Sequence, residues 1–119
     1  MKSQDKGIKR ILKAFEYSFD GLKASFKSEQ ALRQDILFCF IMSILLCFIN
    51  TSLTNKLILA SSLFLIILME LINTTIEAII DRISDDYHIL SKKAKDIGSL
   101  LVLISFIYTA FVWILILFF

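Results

Sequence analysis

The sequence predicts an all-α integral membrane protein, with one amphipathic surface helix followed by three membrane-spanning helices. Three observations predict it. First, 57% of the 119 residues are hydrophobic and there is no proline, whereas soluble domains average about 45–50% apolar residues. Second, the apolar residues gather in three long runs, and the charged residues gather in two blocks between and before them. Third, the apolar residues of the N-terminal region recur with the helical period instead of forming a run.

Residues 1–7 are polar and are expected to fray. From Ile8 the period is plain: Ile8, Ile11, Leu12, Phe15, Phe19, Leu22 and Phe26 fall within an arc of about 100° at 3.6 residues per turn. Lys9, Lys13, Glu16, Asp20, Lys23 and Lys27 take the other side. A helix of this kind over 8–27 lies in the membrane interface instead of crossing the bilayer. No short apolar core with a small-residue cleavage site precedes it, so no cleavable signal peptide is expected.

Ser28 to Asp35 is a polar hinge. Ile36 to Ile49 is apolar apart from Ser43. A span needs about 20 residues, which sets the first at about 31–50, with Arg33 and Asp35 at headgroup level. Asn50 to Lys56 reads as a short polar turn, Leu57 to Ile80 as the second span, Asp81 to Asp96 as a charged loop with helical ends, and Ile97 to Phe119 as the third span. No repeat or domain boundary stands out, so the chain reads as one integral-membrane domain over 1–119.

Orientation follows from the cationic residues, which favour the cytoplasmic side. Residues 1–35 carry eight Lys/Arg, the 50–56 turn one, the 81–96 loop four, and the chain after Lys95 none. The N-terminus and the 81–96 loop are therefore expected in the cytoplasm, and the turn and C-terminus outside. The net charge of +2 implies no polyanionic partner such as a nucleic acid. Cys39 and Cys47 stand eight residues apart in one run, about 12 Å along a helix, too far for a disulfide. They read as small apolar fillers.

The second half of the second span holds the candidate chemistry. Glu70-Leu-Ile-Asn-Thr-Thr-Ile-Glu-Ala-Ile-Ile-Asp81 carries four polar groups. At about 100° per residue, Glu70, Asn73, Glu77 and Asp81 fall within about 80° of one another. Ionisable groups inside an apolar helix are costly unless they are sheltered and used. Glu77 and Asp81 lie near the cytoplasmic end, and Glu70 lies about 10 Å deeper. A carboxylate near phosphates suits Mg²⁺, which prefers oxygen ligands, and a deeper carboxylate can take a proton from a substrate hydroxyl. Asn73 can support a neighbouring carboxylate or serve as a packing contact. Asp81 can support the site or pair with a neighbouring cation. Lys92, Lys93, Lys95 and Asp96 can anchor anionic headgroups or meet a nucleotide. With Gly7, Gly21 and Gly98 as its only glycines, the chain has no P-loop or dinucleotide fingerprint. A proton-coupled transporter subunit with Glu70 as its proton site is the alternative from another class.

These residues resemble a known family. Glu70 to Arg82 is similar to the E-x-x-N-[ST]-[AT]-I-E-x-x-x-D signature of the bacterial integral-membrane diacylglycerol kinases, a three-span family that includes the undecaprenol kinases. Asp86-Tyr-His88, Ala94-Lys-Asp-Ile-Gly-Ser99, Arg10-Ile-Leu-Lys-Ala14 and Tyr17-Ser-Phe-Asp-Gly-Leu22 fit as well. Glu29-Gln-Ala-Leu-Arg-Gln-Asp35 resembles the Gram-negative branch and so points to diacylglycerol; undecaprenol, with the same chemistry, is the nearer alternative. The chain departs from that branch at Asp35, where Glu is usual, at Phe19, where Trp is common, and at the bulky pair Phe15-Glu16.

The resemblance implies an ATP-dependent lipid kinase that makes phosphatidic acid by direct in-line transfer with Mg²⁺. It also implies a homotrimer with shared active sites in the bacterial inner membrane. Carried over by position, Glu70 is the general base, and Glu29 and Glu77 hold Mg²⁺ and with it ATP. Arg10, Tyr17, Asp86, Tyr87, His88, Lys95 and Asp96 are the remaining ATP contacts. The lipid side takes in Arg10, Ala14, Ser18, Ala31, Arg33, Asp35, Lys56, Glu70, Ser99 and Trp113, with Asn73 and Asp81 in support.

Overall fold

A computed structural model describes residues 6–119 and contains four helices: α1 (Ile8–Ser28), α2 (Gln30–Phe48), α3 (Leu53–Ile83) and α4 (Ile89–Phe118). Most of the N-terminal stretch expected to fray, residues 1–5, lies outside the described residues. Three of the helices are long and apolar enough to cross a membrane: α2, α3 and α4. The expected all-α architecture of one amphipathic helix and three long apolar helices is the one observed.

The amphipathic α1 buries none of its residues. Its apolar stripe stays open, as an interfacial helix requires. It stops where Glu29 turns extended, at φ −110° and ψ 108°. Two of its last carbonyls, those of Phe26 and Lys27, accept hydrogen bonds from the Arg33 guanidinium at 2.7 and 3.0 Å. An arginine at a helix C-terminus answers both the orphan carbonyls and the negative end of the helix dipole. Arg33, expected on the lipid side, thus fixes the corner between α1 and α2.

With 31 and 30 residues, α3 and α4 run about 45 Å each, well past the ~30 Å hydrocarbon layer. The extra turns carry the charged residues into water. Asp81 to Asp96, read as a loop with helical ends, keeps only Ser84–His88 outside the helices. The outer turn is likewise short: Ser52 caps α3 by accepting from the Asn55 amide at 3.2 Å, so Lys56 stands in the first turn of α3.

Central in the layer, α3 packs most extensively on α4 and less on α2, while α1 leans on α2 and brings Ser25 to a shallow pocket shared with α3. The core is the cluster Cys39, Leu59, Leu63, Ile66 and Trp113. Polar links pin α4 to α3 inside it: the Trp113 indole N–H donates to Ser62 Oγ at 3.0 Å, and Thr109 Oγ1 donates to the Ser62 carbonyl at 3.2 Å. Hydroxyls and small residues at helix contacts let apolar helices adhere where lipid supplies no hydrophobic drive.

Toward the α3–α4 turn, Gly98 sets the approach of α4 to α3. A Cβ there would overlap Asn73 Oδ1 and would sit 3.3 Å from Asn73 Cγ. Only glycine leaves that amide its place.

Candidate active site

The stripe on α3 descends from water into the protein. Asp81 is exposed, Glu77 half-buried, Asn73 8% exposed and Glu70 4% exposed. The single chain therefore shields Glu70 and Asn73 from lipid by itself. Asp35 of α2 beside Glu70 and the close approach of α4 at Gly98 beside Asn73 help supply the cover.

Around Glu70 the acids converge. Asp35 of α2 stands in hydrogen-bond reach of it, and Glu77 and Glu29 lie close enough for their charges to act on it. One carboxylate oxygen of Asp35, Oδ2, is buried with no donor. Asn73 Nδ2 donates to Glu77 Oε1 at 3.4 Å, while Asn73 Oδ1, packed against Gly98, has no donor. Glu29 sits half-buried in the break between α1 and α2, with Ser28 Oγ donating to its Oε1 at 3.4 Å. Glu29, Asp35, Glu70 and Glu77 come from three parts of the chain; Asp35 and Glu70 are the pair in contact, and among the described residues no three acids or histidines stand together as a metal-holding group.

Beside it, at the α3–α4 turn, lies a cleft of about 540 Å³, a volume typical of small-molecule sites. It is lined by Asp81, Asp86, Tyr87, His88, Lys95 and Asp96, among others. Most of them are held by local chemistry. His88 caps α4, its Nδ1 accepting from the Leu90 amide at 3.1 Å. The Asp86 amide donates to Ser84 Oγ at 3.0 Å. Lys95 Nζ donates to Asp81 Oδ1 at 2.6 Å, and Lys92 Nζ donates to Asp96 Oδ2 at 2.6 Å. The Asp81 hydrogen bond raises the proton affinity of the Lys95 amine above that of an ordinary lysine; Lys95 lies in the first two turns of α4, before its long apolar run.

The structure does not gather every expected residue. Arg10, Ala14, Tyr17 and Ser18 are exposed along α1, and the cleft includes no residue of α1. Ser18 Oγ is spent on the Ala14 carbonyl, at 2.8 Å. Ala31 and Ser99 are exposed, and Lys56 lies at the opposite end of α3 from the acids. Trp113, 6% exposed, stands inside the α3–α4 contact rather than on a lipid-facing surface. Lys92, expected as a headgroup anchor or a nucleotide contact, reaches Asp96 at i,i+4. One residue of the site was not given a role from the sequence: Gly98 touches Asn73 across two helices, which no local pattern reveals.

Comparison with known proteins bears on this geometry. The chain matches the family described as "Prokaryotic diacylglycerol kinase" over residues 16–117. The chain belongs to that family. It is 37% identical over 117 residues to a diacylglycerol kinase of Escherichia coli strain K12, covering 98% of this chain and 96% of the relative. It is 38% identical over 108 residues to one of Helicobacter pylori strain J99, covering 91% and 84%. To one of Haemophilus influenzae it is 35% identical over 113 residues, covering 95% and 96%. Members of the prokaryotic diacylglycerol kinase family are enzymes, and the resemblance read from Glu70 to Arg82 is thereby shown for nearly the whole chain.

Proposed function

We propose that this chain is a membrane diacylglycerol kinase that moves the γ-phosphoryl group of ATP directly to the lipid hydroxyl, with Glu70 as the base. The observation that carries the reading is the join between two environments. A buried carboxyl group, Glu70, is within the influence of Glu29 and Glu77, and a polar cleft opens to water about three turns further along α3, at Ile80 and Asp81.

Phosphoryl transfer asks the protein for positioning and charge neutralisation more than for covalent chemistry. The hydroxyl oxygen of diacylglycerol attacks the γ-phosphorus, the bond to the bridging oxygen breaks, ADP leaves, and the hydroxyl proton passes to Glu70 Oε. Asp35, in contact with Glu70 across α2 and α3, orients that carboxyl. Lys95 and Asp96 take the nucleotide in the cleft.

Glu29 and Glu77 fit Mg²⁺. Both are carboxylates whose charges reach Glu70, and Mg²⁺ commonly takes one or two carboxylates together with substrate phosphates and water. When bound, the ion neutralises charge on the phosphate oxygens. Asn73 keeps Glu77 in place through its amide.

Copies of the chain, three by the resemblance, complete the site. The described chain is a slab 48 × 43 × 21 Å with broad apolar faces, and its α1 residues Arg10 and Tyr17 stand clear of its own cleft, free to serve a neighbour's. The charge pattern supports a cytoplasmic N-terminus and α3–α4 turn, where ATP is found, in the inner membrane.

The test is incubation of the purified full chain with γ-labelled ATP, Mg²⁺, diacylglycerol and undecaprenol in one detergent. Labelled phosphatidic acid is expected, and its formation stops with EDTA and resumes with excess Mg²⁺. Glu70→Gln lowers turnover by about 10²-fold or more with ATP binding retained. Undiminished turnover in that variant removes Glu70 from the role of base.

A further inference from the structure

We infer that Asp81 is a positioning residue for this kinase: it holds the Lys95 ammonium over the nucleotide cleft and away from Glu77. The inference rests on the reading of Lys95 as a nucleotide contact.

The two residues come from different helices, 14 positions apart, and meet at 2.6 Å across the mouth of the cleft. The Lys95 side chain is 41% exposed and that of Asp81 60%, so the pair is open to water and adds little to stability. Its use must be sought elsewhere, and the surroundings suggest one. Lysine carries a point charge on a flexible four-carbon stem with three rotatable donors. Asp81 acts on that charge most strongly, and Glu77 and Asp85 act on it next. Asp96, which also lines the cleft, is already engaged by Lys92.

Asp81 therefore holds an ammonium that also feels the charges of Glu77 and Asp85. Held by Asp81, Lys95 keeps two of its three donors for phosphate oxygens. Released, it swings toward Glu77, the proposed metal ligand, and both the phosphate contact and the metal contact weaken together. Asp81 sits one turn beyond Glu77 on the same face of α3, which places the competing acceptor on the water side of the site.

Kinetics of Asp81→Asn, Lys95→Ala and the double variant test this, with the purified full chain, diacylglycerol micelles and varied MgATP. Asp81→Asn is expected to raise KM for MgATP three- to tenfold, with a smaller fall in kcat, and to raise the Mg²⁺ concentration needed for half-maximal rate. Asp81→Glu, which keeps the acceptor, restores most of the loss. The double variant is no worse than Lys95→Ala alone, because the two act through one contact.

A KM unchanged or lowered in Asp81→Asn overturns the inference, as does an effect additive with that of Lys95→Ala. If Lys95→Ala itself leaves KM for MgATP unchanged, the nucleotide reading of Lys95 fails first, and the role of Asp81 fails with it. Thermal melts of each variant in detergent accompany the kinetics. A loss of activity that follows melting temperature, and is not repaired by Asp81→Glu, assigns Asp81 to stability alone and also overturns the inference.

Discussion

Replacing Gly98 with alanine adds one methyl group where α4 comes close to α3, and its consequences can be worked through atom by atom. The new Cβ overlaps Asn73 Oδ1, while Asn73 Cγ lies 3.3 Å away and Ile76 Cδ1 3.5 Å away. The obstructing atom is the tip of a rotatable side chain, so the amide turns and the backbone stays. Turning it breaks the 3.4 Å link from Asn73 to Glu77, a loss of about 0.5–1.5 kcal/mol. Alanine meanwhile favours the helix over glycine by about 1 kcal/mol. Stability is thus expected to stay nearly level. Activity is not: about 1 kcal/mol of lost positioning at Glu77 corresponds to a fall of about fivefold in kcat/KM for MgATP. The assay is steady-state kinetics in mixed micelles beside a thermal melt in detergent. Wild-type kcat/KM would refute the reasoning, because the amide would then have room to spare. So would a fall in melting temperature that matches the fall in activity, since the backbone would then be absorbing the strain.

Two further substitutions separate packing from chemistry. Trp113→Phe keeps an aromatic ring but strips the donor from the fully buried Ser62 Oγ; interhelical hydrogen bonds in bilayers average about 0.6 kcal/mol and reach about 1.7 kcal/mol, so a lower melting temperature with unchanged lipid kinetics is expected. A raised KM for diacylglycerol at unchanged melting temperature would instead put Trp113 on the lipid side, as the family resemblance implies. Arg33→Ala frees the carbonyls of Phe26 and Lys27 and is expected to speed amide hydrogen exchange in the last turn of α1, by an amount matching about 1 kcal/mol of local stability after allowance for solvent. Unchanged exchange over residues 22–28 would show that the α1–α2 corner holds without it.

Much of this protein is local and was therefore legible in the amino-acid order. Helix identity follows from period and from run length: the stripe from Ile8 to Phe26 marks a surface helix, and the three apolar runs mark helices long enough to cross a bilayer. The shared face of Glu70, Asn73, Glu77 and Asp81 follows from about 100° per residue alone. The family signature is also contiguous, so it needs no fold to be read. Distance along the chain is where that legibility ends. Asp35 meets Glu70, Gly98 meets Asn73, and Trp113 meets Ser62, pairs separated by 35, 25 and 51 positions. Each depends on how far one helix slides and turns against another, and that register is set by side-chain volumes all along the contact. Tertiary structure alone decided that Glu70 is covered while Asp81 is wet, that Arg33 closes a helix end, and that Trp113 packs inward. A stripe has a direction from its sequence, but its depth comes from what packs against it.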